Sequence, residues 1–289
     1  LIKHINMINS CFLIDTHTHF DVLEYQDNLE KYAINAYNNG IKELVIIGLM
    51  ADSFKQMAVC QKKLNYLNLN LKTHLAFGLH PLYIENQQQE DLYILETYIK
   101  KYPSIAIGEI GLDTFEKSLK EENIYQKQKN FFIEQIQIAK KYDLPILLHI
   151  RKAHADVLKI LKQEKYNPYH QGGIAHSFSG GINEAIAFVQ MGFKLGITGQ
   201  ITNPNAKKLR QVVNTVFCKY GVSAFVIETD SPDMLPIPCQ KQGYTLNEPA
   251  NLIYVLQELS NLFNMDKKIL ADKLWENSYQ ALKINETNN

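Results

Sequence analysis

The sequence predicts an α/β protein: a single (β/α)8 TIM barrel with extra C-terminal helices. Three observations carry this expectation. Eight short, apolar, β-branched segments recur along the chain, and several are apolar almost throughout. Such runs mark strands buried on both faces of a parallel sheet. Longer amphipathic segments lie between them. The length of 289 residues suits one barrel, typically about 250 residues long. An open doubly wound sheet shares the alternation, so strand count alone leaves closure undecided.

The elements follow in order. The first strand is predicted at 12–16. Gly40 closes the helical stretch after it, as a glycine past a helix end does. The second strand is 44–48. Asp52 and Ser53 then offer N-cap oxygens to a helix in which Met57, Val59 and Leu64 interleave with Gln56, Lys62 and Lys63. The third strand is 74–78. Pro103 lies just before the fourth, 105–109. In the next helix, Phe132, Ile136 and Ala139 recur at helical spacing. Pro145 precedes the fifth strand, 146–150, and the sixth is 173–177. Asn183 is read as the next N-cap and Gly192 as the next C-terminal glycine. The seventh strand is 194–198. Gly221 ends another helix before the eighth, 225–228. Two further helices are predicted at 246–263 and 266–282.

Composition narrows the class. Thirty Lys and Arg balance thirty Asp and Glu, so the formal net charge is zero. Total charge therefore gives no argument for a nucleic-acid or membrane partner. An apolar content of 46% excludes a disordered chain. No apolar run approaches the roughly 18 residues of a spanning helix, so no membrane partner is expected, and no obligate protein partner is evident. Cys11, Cys60, Cys218 and Cys239 lack any CxxC spacing, which argues against a disulfide scaffold or a thiolate zinc site. With no signal-peptide pattern, a reducing cytoplasm is the expected location. Met7 is read as the natural start and residues 1–6 as an upstream remnant. One barrel over 7–284 is expected, with 285–289 a disordered tail.

Five of the nine histidines fall at the carboxyl ends of predicted strands: His17, His19, His80, His149 and His176. Barrel enzymes build their active sites on that face. His17 and His19 are two apart, so both imidazoles leave the strand on one side. Glu109 ends the fourth strand between Gly108 and Gly111, and glycines in a strand allow close approach of backbone or ligand. Asp230 follows the eighth strand. Four imidazoles and two carboxylates form a ligand set for borderline divalent metals. Six ligands exceed one tetrahedral site, and two ions sharing a carboxylate make a hydrolytic pair. A lone buried histidine is usually structural and HxH alone is weak; the whole group at the ends of five strands is much harder to produce by chance.

The motifs DTHTHFD (15–21), GLHP (78–81), GEIGLD (108–113), PILLHIRKAH (145–154), AHSFSGG (175–181) and ETDSP (228–232) occur in the order and spacing of TatD-type metal-dependent deoxyribonucleases and hydrolases. These form a branch of the amidohydrolase superfamily. The likeness extends from about residue 14 to the NEPANL segment at 247–252. The stretches around 151–154 and 232–234 resemble the less characterised metal-dependent hydrolase branch most. The resemblance implies that His17, His19 and Asp230 hold one metal, that His149 and His176 hold a second, and that Glu109 bridges. It assigns Asp230 the proton of the attacking water. Ser177 stands where many relatives have Cys, a position that is not a ligand. Two divalent ions per chain are implied, drawn from Zn, Mg, Mn, Fe or Ni. The activity implied is that of a phosphodiesterase acting on DNA ends, as a 3′-exonuclease does, or on another phosphodiester. Two cations at the mouth would dominate a local field that the zero formal charge omits.

Other readings stand beside this one. The same chemistry serves an amide, lactone or ester hydrolase, including one that deacylates D-aminoacyl-tRNA. A non-enzymatic barrel holding structural metal is opposed by the complete ligand set. His80 either contacts a substrate phosphate or makes a structural hydrogen bond. Arg151 either clamps phosphate or pairs with Asp113 or Glu228. Asp21 either orients a ligand imidazole or caps the following helix. His154 is expected at the surface and Trp275 in the core. Lys207, Lys208 and Arg210 are either a nucleic-acid contact or a solvated helix face.

Overall fold

The computed structural model describes residues 11–284; the start at Met7, residues 1–6 and residues 285–289 lie outside the described residues. The strands are β1 (Leu13–Thr18), β2 (Ile41–Ile47), β3 (Lys72–Phe77), β4 (Ser104–Asp113), β5 (Ile146–Arg151), β6 (Ile174–Ala175), β7 (Lys194–Ile197) and β8 (Phe225–Ile227), with helices between them. The sheet order is the chain order, β1 to β8. Pairing is parallel for β1 with β2 and from β3 through β7. This order and alternation are those of a (β/α)8 barrel, extended after β8 by helices Leu252–Phe263 and Lys267–Leu282.

Each expected strand overlaps an observed one. β4 runs four residues past Glu109, to Asp113. Proline lacks an N–H to give a ladder, so it is tolerated only at a strand's margin; Pro103 and Pro145 stand immediately before β4 and β5. Gly192 ends its helix in the left-handed region at φ 105°. Asn183 is not an N-cap: helix Ile182–Met191 is capped at Gly181, whose N–H donates to Glu184 at 2.9 Å. The glutamate already supplies the acceptor, which leaves Asn183 inside the first turn.

The residues divide into two compact units interleaved along the chain. The first consists of the stretch ending at Ile46, Val59–His74 and Gly196–Ser278. Its β1 and the segment after β8 run side by side: Thr18 bridges in parallel to Ser231, and the His19 N–H donates to Ser231 O at 2.8 Å. Leu13, Ile14, Leu44, Val45, Ile46, Phe225 and Val226 are at most 2% exposed. Each such side chain contributes about 1.5–3 kcal/mol through burial. Phe217 stacks on Phe263 with ring centroids 4.0 Å apart. On helix Lys267–Leu282 the buried positions within this unit are Leu270, Ala271, Leu274, Asn277 and Ser278. Trp275 falls at the flank of that stripe and is half-buried, not core.

The second unit consists of Ile47–Ala58, Leu75–Leu195 and the stretch from Tyr279. Phe54, Phe77 and Tyr98 form an edge-to-face cluster with centroids 5.1–5.5 Å apart. Helix Glu122–Tyr142 buries two glutamines, each 1% exposed, beside its apolar residues. Gln128 and Gln135 lie about two turns apart and so share one face. Gln128 accepts from the Asp113 N–H at 2.9 Å and donates to Asp113 O at 3.0 Å. Gln135 accepts from the Leu79 N–H at 2.7 Å and donates to Leu79 O at 3.1 Å. One helix thus satisfies both backbone groups of a residue at the end of β4 and of one just past β3. Among the described residues, no helix is long and apolar enough to cross a membrane.

Candidate functional site

In the first unit, β1 delivers His17 and His19. Their rings meet edge-on with centroids 5.1 Å apart. Asp230 stands beside them in the left-handed region, at φ 55°. Its N–H donates to His17 O at 2.9 Å, which holds the post-β8 segment against β1. His17, His19 and Asp230 are 1%, 8% and 9% exposed. His17 Nε2 is 3.8 Å and His19 Nε2 3.7 Å from Asp230 Oδ1. Those separations are too long for hydrogen bonds. A cation bound tetrahedrally at 2.0–2.2 Å sets its ligand atoms about 3.4 Å apart, so the trio has the spacing and the chemistry of a metal set.

Two buried networks hold this trio. Asp15 Oδ1 accepts from the Thr229 N–H at 2.9 Å and from the His17 N–H at 3.3 Å, and Oδ2 accepts from the Thr229 hydroxyl at 2.5 Å. Burial nevertheless dominates and pushes the Asp15 carboxyl up to about 7. Asn247, 0% exposed, donates to Thr229 O at 3.0 Å and Asp233 O at 2.7 Å, clamping the segment that carries Asp230 from both sides. Tyr25 in turn donates its hydroxyl to Asn247 O at 2.6 Å. Asp21 does not cap the following helix, whose N-cap is Val22. It is buried and pushed up to about 6 by desolvation, against a lowering charge interaction with His19. Of its two readings, the cap is excluded and the one beside His19 remains.

In the second unit, the register of β4 against β5 shifts between Gly108 and Ile110. Glu109 sits at this irregularity. Glu109 Oε1 is 2.8 Å from His149 Nδ1, 3.5 Å from His80 Nε2 and 3.7 Å from His176 Nε2. His149 Nε2 donates to Asp113 Oδ2 at 2.9 Å. That bond directs Nδ1 toward Glu109 and makes it the nitrogen that a metal would use. Metal sites commonly carry a carboxylate behind a ligand imidazole, and Asp113 stands in that position behind His149. Burial raises its pKa, but the His149 bond, the Phe115 N–H and the Arg151 charge outweigh this and hold it low. Burial also opposes the His149 imidazolium, but the bonds to Asp113 and Glu109 win and raise its pKa. Gly111 must be glycine: a Cβ there would lie 2.0 Å from His149 O.

His80 Nδ1 accepts from the Leu82 N–H at 3.0 Å, so in the neutral ring the proton sits on Nε2. His80 then faces Glu109 and His149 as a donor rather than as a ligand. Arg151 lies 4.0 Å from Asp113 Oδ2 and over the Phe115 ring at 3.9 Å. Its partner is Asp113, not Glu228. His154 is buried, not superficial, because its ring packs edge-on against Phe178 at 5.4 Å. Arg210 donates through Nη1 to Glu258 at 2.5 Å and to Ile201 O at 2.7 Å. Lys207 and Lys208 are exposed. Sequence reasoning did not find the bond between Asp113 and His149. The signal was there, since Glu109 and Asp113 share parity on one strand.

Residues 14–283 match the family model of the TatD related DNase. An uncharacterized metal-dependent hydrolase of Haemophilus influenzae is 33% identical over 274 residues, covering 92% of this chain and 97% of that protein. The uncharacterized metal-dependent hydrolase YjjV of Escherichia coli K12 is 31% identical over 276 residues, covering 95% and 99%. The crystal structure of YjjV, a TatD homologue, superposes with a TM-score of 0.84 at 30% identity, covering 96% of this chain and 100% of that one.

Proposed function

The chain belongs to the TatD related DNase family, and from that premise we propose that this metal-dependent hydrolase is a phosphodiesterase that cleaves DNA ends with two divalent ions. The observation that carries the reading is the His17, His19 and Asp230 trio. Its three ligand atoms are buried and 3.7–3.8 Å apart across the carboxylate, beyond hydrogen bonding and spaced for a shared cation. His149 Nδ1, His176 Nε2 and Glu109 make the second set. Bound divalent ions would lower the pKa of a water and neutralise charge on a phosphoryl oxygen.

The chain's own groups do the rest. Asp230 takes the proton from the attacking water, a role open to a carboxylate within hydrogen-bond reach. Asp113 holds the His149 ring so that Nδ1 faces inward. His80, protonated on Nε2, supplies a hydrogen-bond donor beside Glu109. Imidazole-rich sets suit Zn, Mn, Fe or Ni, and Mg is carried by carboxylates and waters.

The test couples metal analysis to hydrolysis of DNA, RNA, a simple phosphodiester and an ester. Two ions per chain are expected, falling to one in both His19→Ala and His149→Ala. Cleavage of DNA is expected to vanish in Glu109→Ala, in Asp230→Ala and in chelator. Full DNA cleavage in any of those three refutes the reading. Ester cleavage without phosphodiester cleavage transfers the site to the amide, lactone or ester class.

A further inference from the structure

A cleft of about 430 Å³ opens in the first unit, between the turn at Gly199–Thr202 and the segment that follows Asp230. Its volume falls within the roughly 300–1,000 Å³ of small-molecule sites. Its apolar wall is Met234, Leu235 and Ile237, and its polar groups are the carboxamides of Gln200, Asn203 and Gln240. No charged side chain lines it. Gln200 donates to Met234 Sδ at 3.0 Å and Gln240 to Leu235 O at 2.7 Å, which leaves each Oε1 as an acceptor. Asn203 Oδ1 accepts from the Asn205 N–H at 2.9 Å, which leaves its Nδ2 as a donor. A neutral cleft with both kinds of polar group and a thioether wall fits a flat heteroaromatic ring. Sulfur packs well against such rings, and amides read the mixed edges of bases.

The cleft is tied to the reacting end of the molecule. Met234 lies four residues past Asp230, a reach of at most about 14 Å, shortened by the Asp233 N–H folding back to Asp230 O at 2.9 Å. Met234 itself holds a left-handed backbone at φ 54°, which is uncommon for a long side chain. A Cβ on Gly199 would lie 2.3 Å from Met234 O, so only glycine lets the two loops meet. Ala206 lines the rim, and exposed Lys207 and Lys208 follow it in the first turn of helix Lys207–Tyr220, which has no acidic residue there. Cations at a helix start oppose the dipole, so their placement does not serve the helix. A phosphate would complement it.

We propose that this cleft holds a nucleobase of the substrate strand, with Lys207 and Lys208 against a neighbouring phosphate. The inference rests on the phosphodiesterase reading and adds the groups that select the substrate. Its test uses the metal-loaded full chain, with Ala206→Trp to fill the cleft and Asn203→Leu to remove an amide without filling it. Binding of dAMP, dCMP, dGMP and dTMP is measured by equilibrium dialysis. The kcat/KM on a short single-stranded oligonucleotide is divided by that on bis(4-nitrophenyl) phosphate. Each variant is expected to weaken nucleotide binding at least tenfold and to lower the ratio at least tenfold. Nucleotide binding and ratios equal to wild type in both variants overturn the cleft assignment. Failure of the wild type to cleave any phosphodiester overturns the parent reading, and the dialysis then decides the cleft alone.

Discussion

Asp113 Oδ2 accepts a hydrogen bond from His149 Nε2 at 2.9 Å. This bond holds one side of the His149 ring, whose Nδ1 lies 2.8 Å from Glu109 Oε1 on the other side. Removing it frees the ring to rotate and to change tautomer. Asp113→Ala is expected to weaken metal binding 10- to 100-fold, the usual cost of losing such a support. Asp113→Asn, which accepts through its carbonyl oxygen, is expected to recover part of that loss. Competition with a chromogenic chelator measures both. Wild-type affinity in Asp113→Ala would falsify the orienting role.

Asn247 acts on the segment that carries Asp230. It holds Thr229 O and Asp233 O on either side of Asp230. Without it, the loop carrying Asp230 loses two restraints. A misplacement of about 1 Å can cost on the order of 100-fold in rate. Asn247→Ala is therefore expected to lower kcat on DNA about 100-fold while the melting transition stays cooperative. Unchanged kcat would show that Asp230 is held by its backbone alone.

Asp15 gives the fold a pH dependence. Burial raises its folded-state value to about 7, from an ordinary 3.8. The unfolded chain loses this proton near 3.8 and the folded one near 7. The stabilising contribution is thus complete below pH 3.8 and lost as the pH rises through 7. Over that window it changes by roughly 1.4 kcal/mol per pH unit. Asp15→Asn keeps a carbonyl acceptor and cannot ionise. In chelator, urea unfolding should show the variant gaining on wild type between pH 4 and 7, with a constant difference above. Parallel curves across the window would contradict the assignment.

Gln135 tests the second unit. Gln135→Leu strips both partners from the Leu79 backbone, where each buried group left unsatisfied costs about 1–3 kcal/mol. A loss of about 2–4 kcal/mol is expected from denaturant midpoints at unchanged slope. A loss under about 0.5 kcal/mol would mean that water takes over both bonds.

The strands were legible because burial on both faces leaves little but apolar residues in them. Leu44–Ile47 could hardly be anything else. His17 and His19 beside Asp230, and His149 and His176 beside Glu109, were legible because polar residues at strand ends stand out against apolar strands. What escaped was side chain reaching for backbone. Gln128 and Gln135 look like the wet side of a helix, yet both are 1% exposed. Their acceptors and donors are main-chain groups of Asp113 and Leu79, and main-chain groups carry no letter in a sequence. Asn247 hides in the same way, although its NEPANL context was visible. β4 was read too short because Gly111 looks like punctuation, whereas it is the residue that lets the strand pass the backbone of His149. His154 was misplaced because its aromatic neighbours, Phe178 and Phe188, come from later in the chain.

The bonds between Asp15 and Thr229 join residues 214 apart. A ribosome adding about 5–20 residues per second needs about 10 to 40 s to cover that stretch. During synthesis, His17 and His19 therefore emerge long before Asp230. Glu109, His149 and His176 are all translated before Asp230. A chain truncated before Asp230 keeps His17 and His19 but lacks the carboxylate that stands 3.7–3.8 Å from their Nε2 atoms.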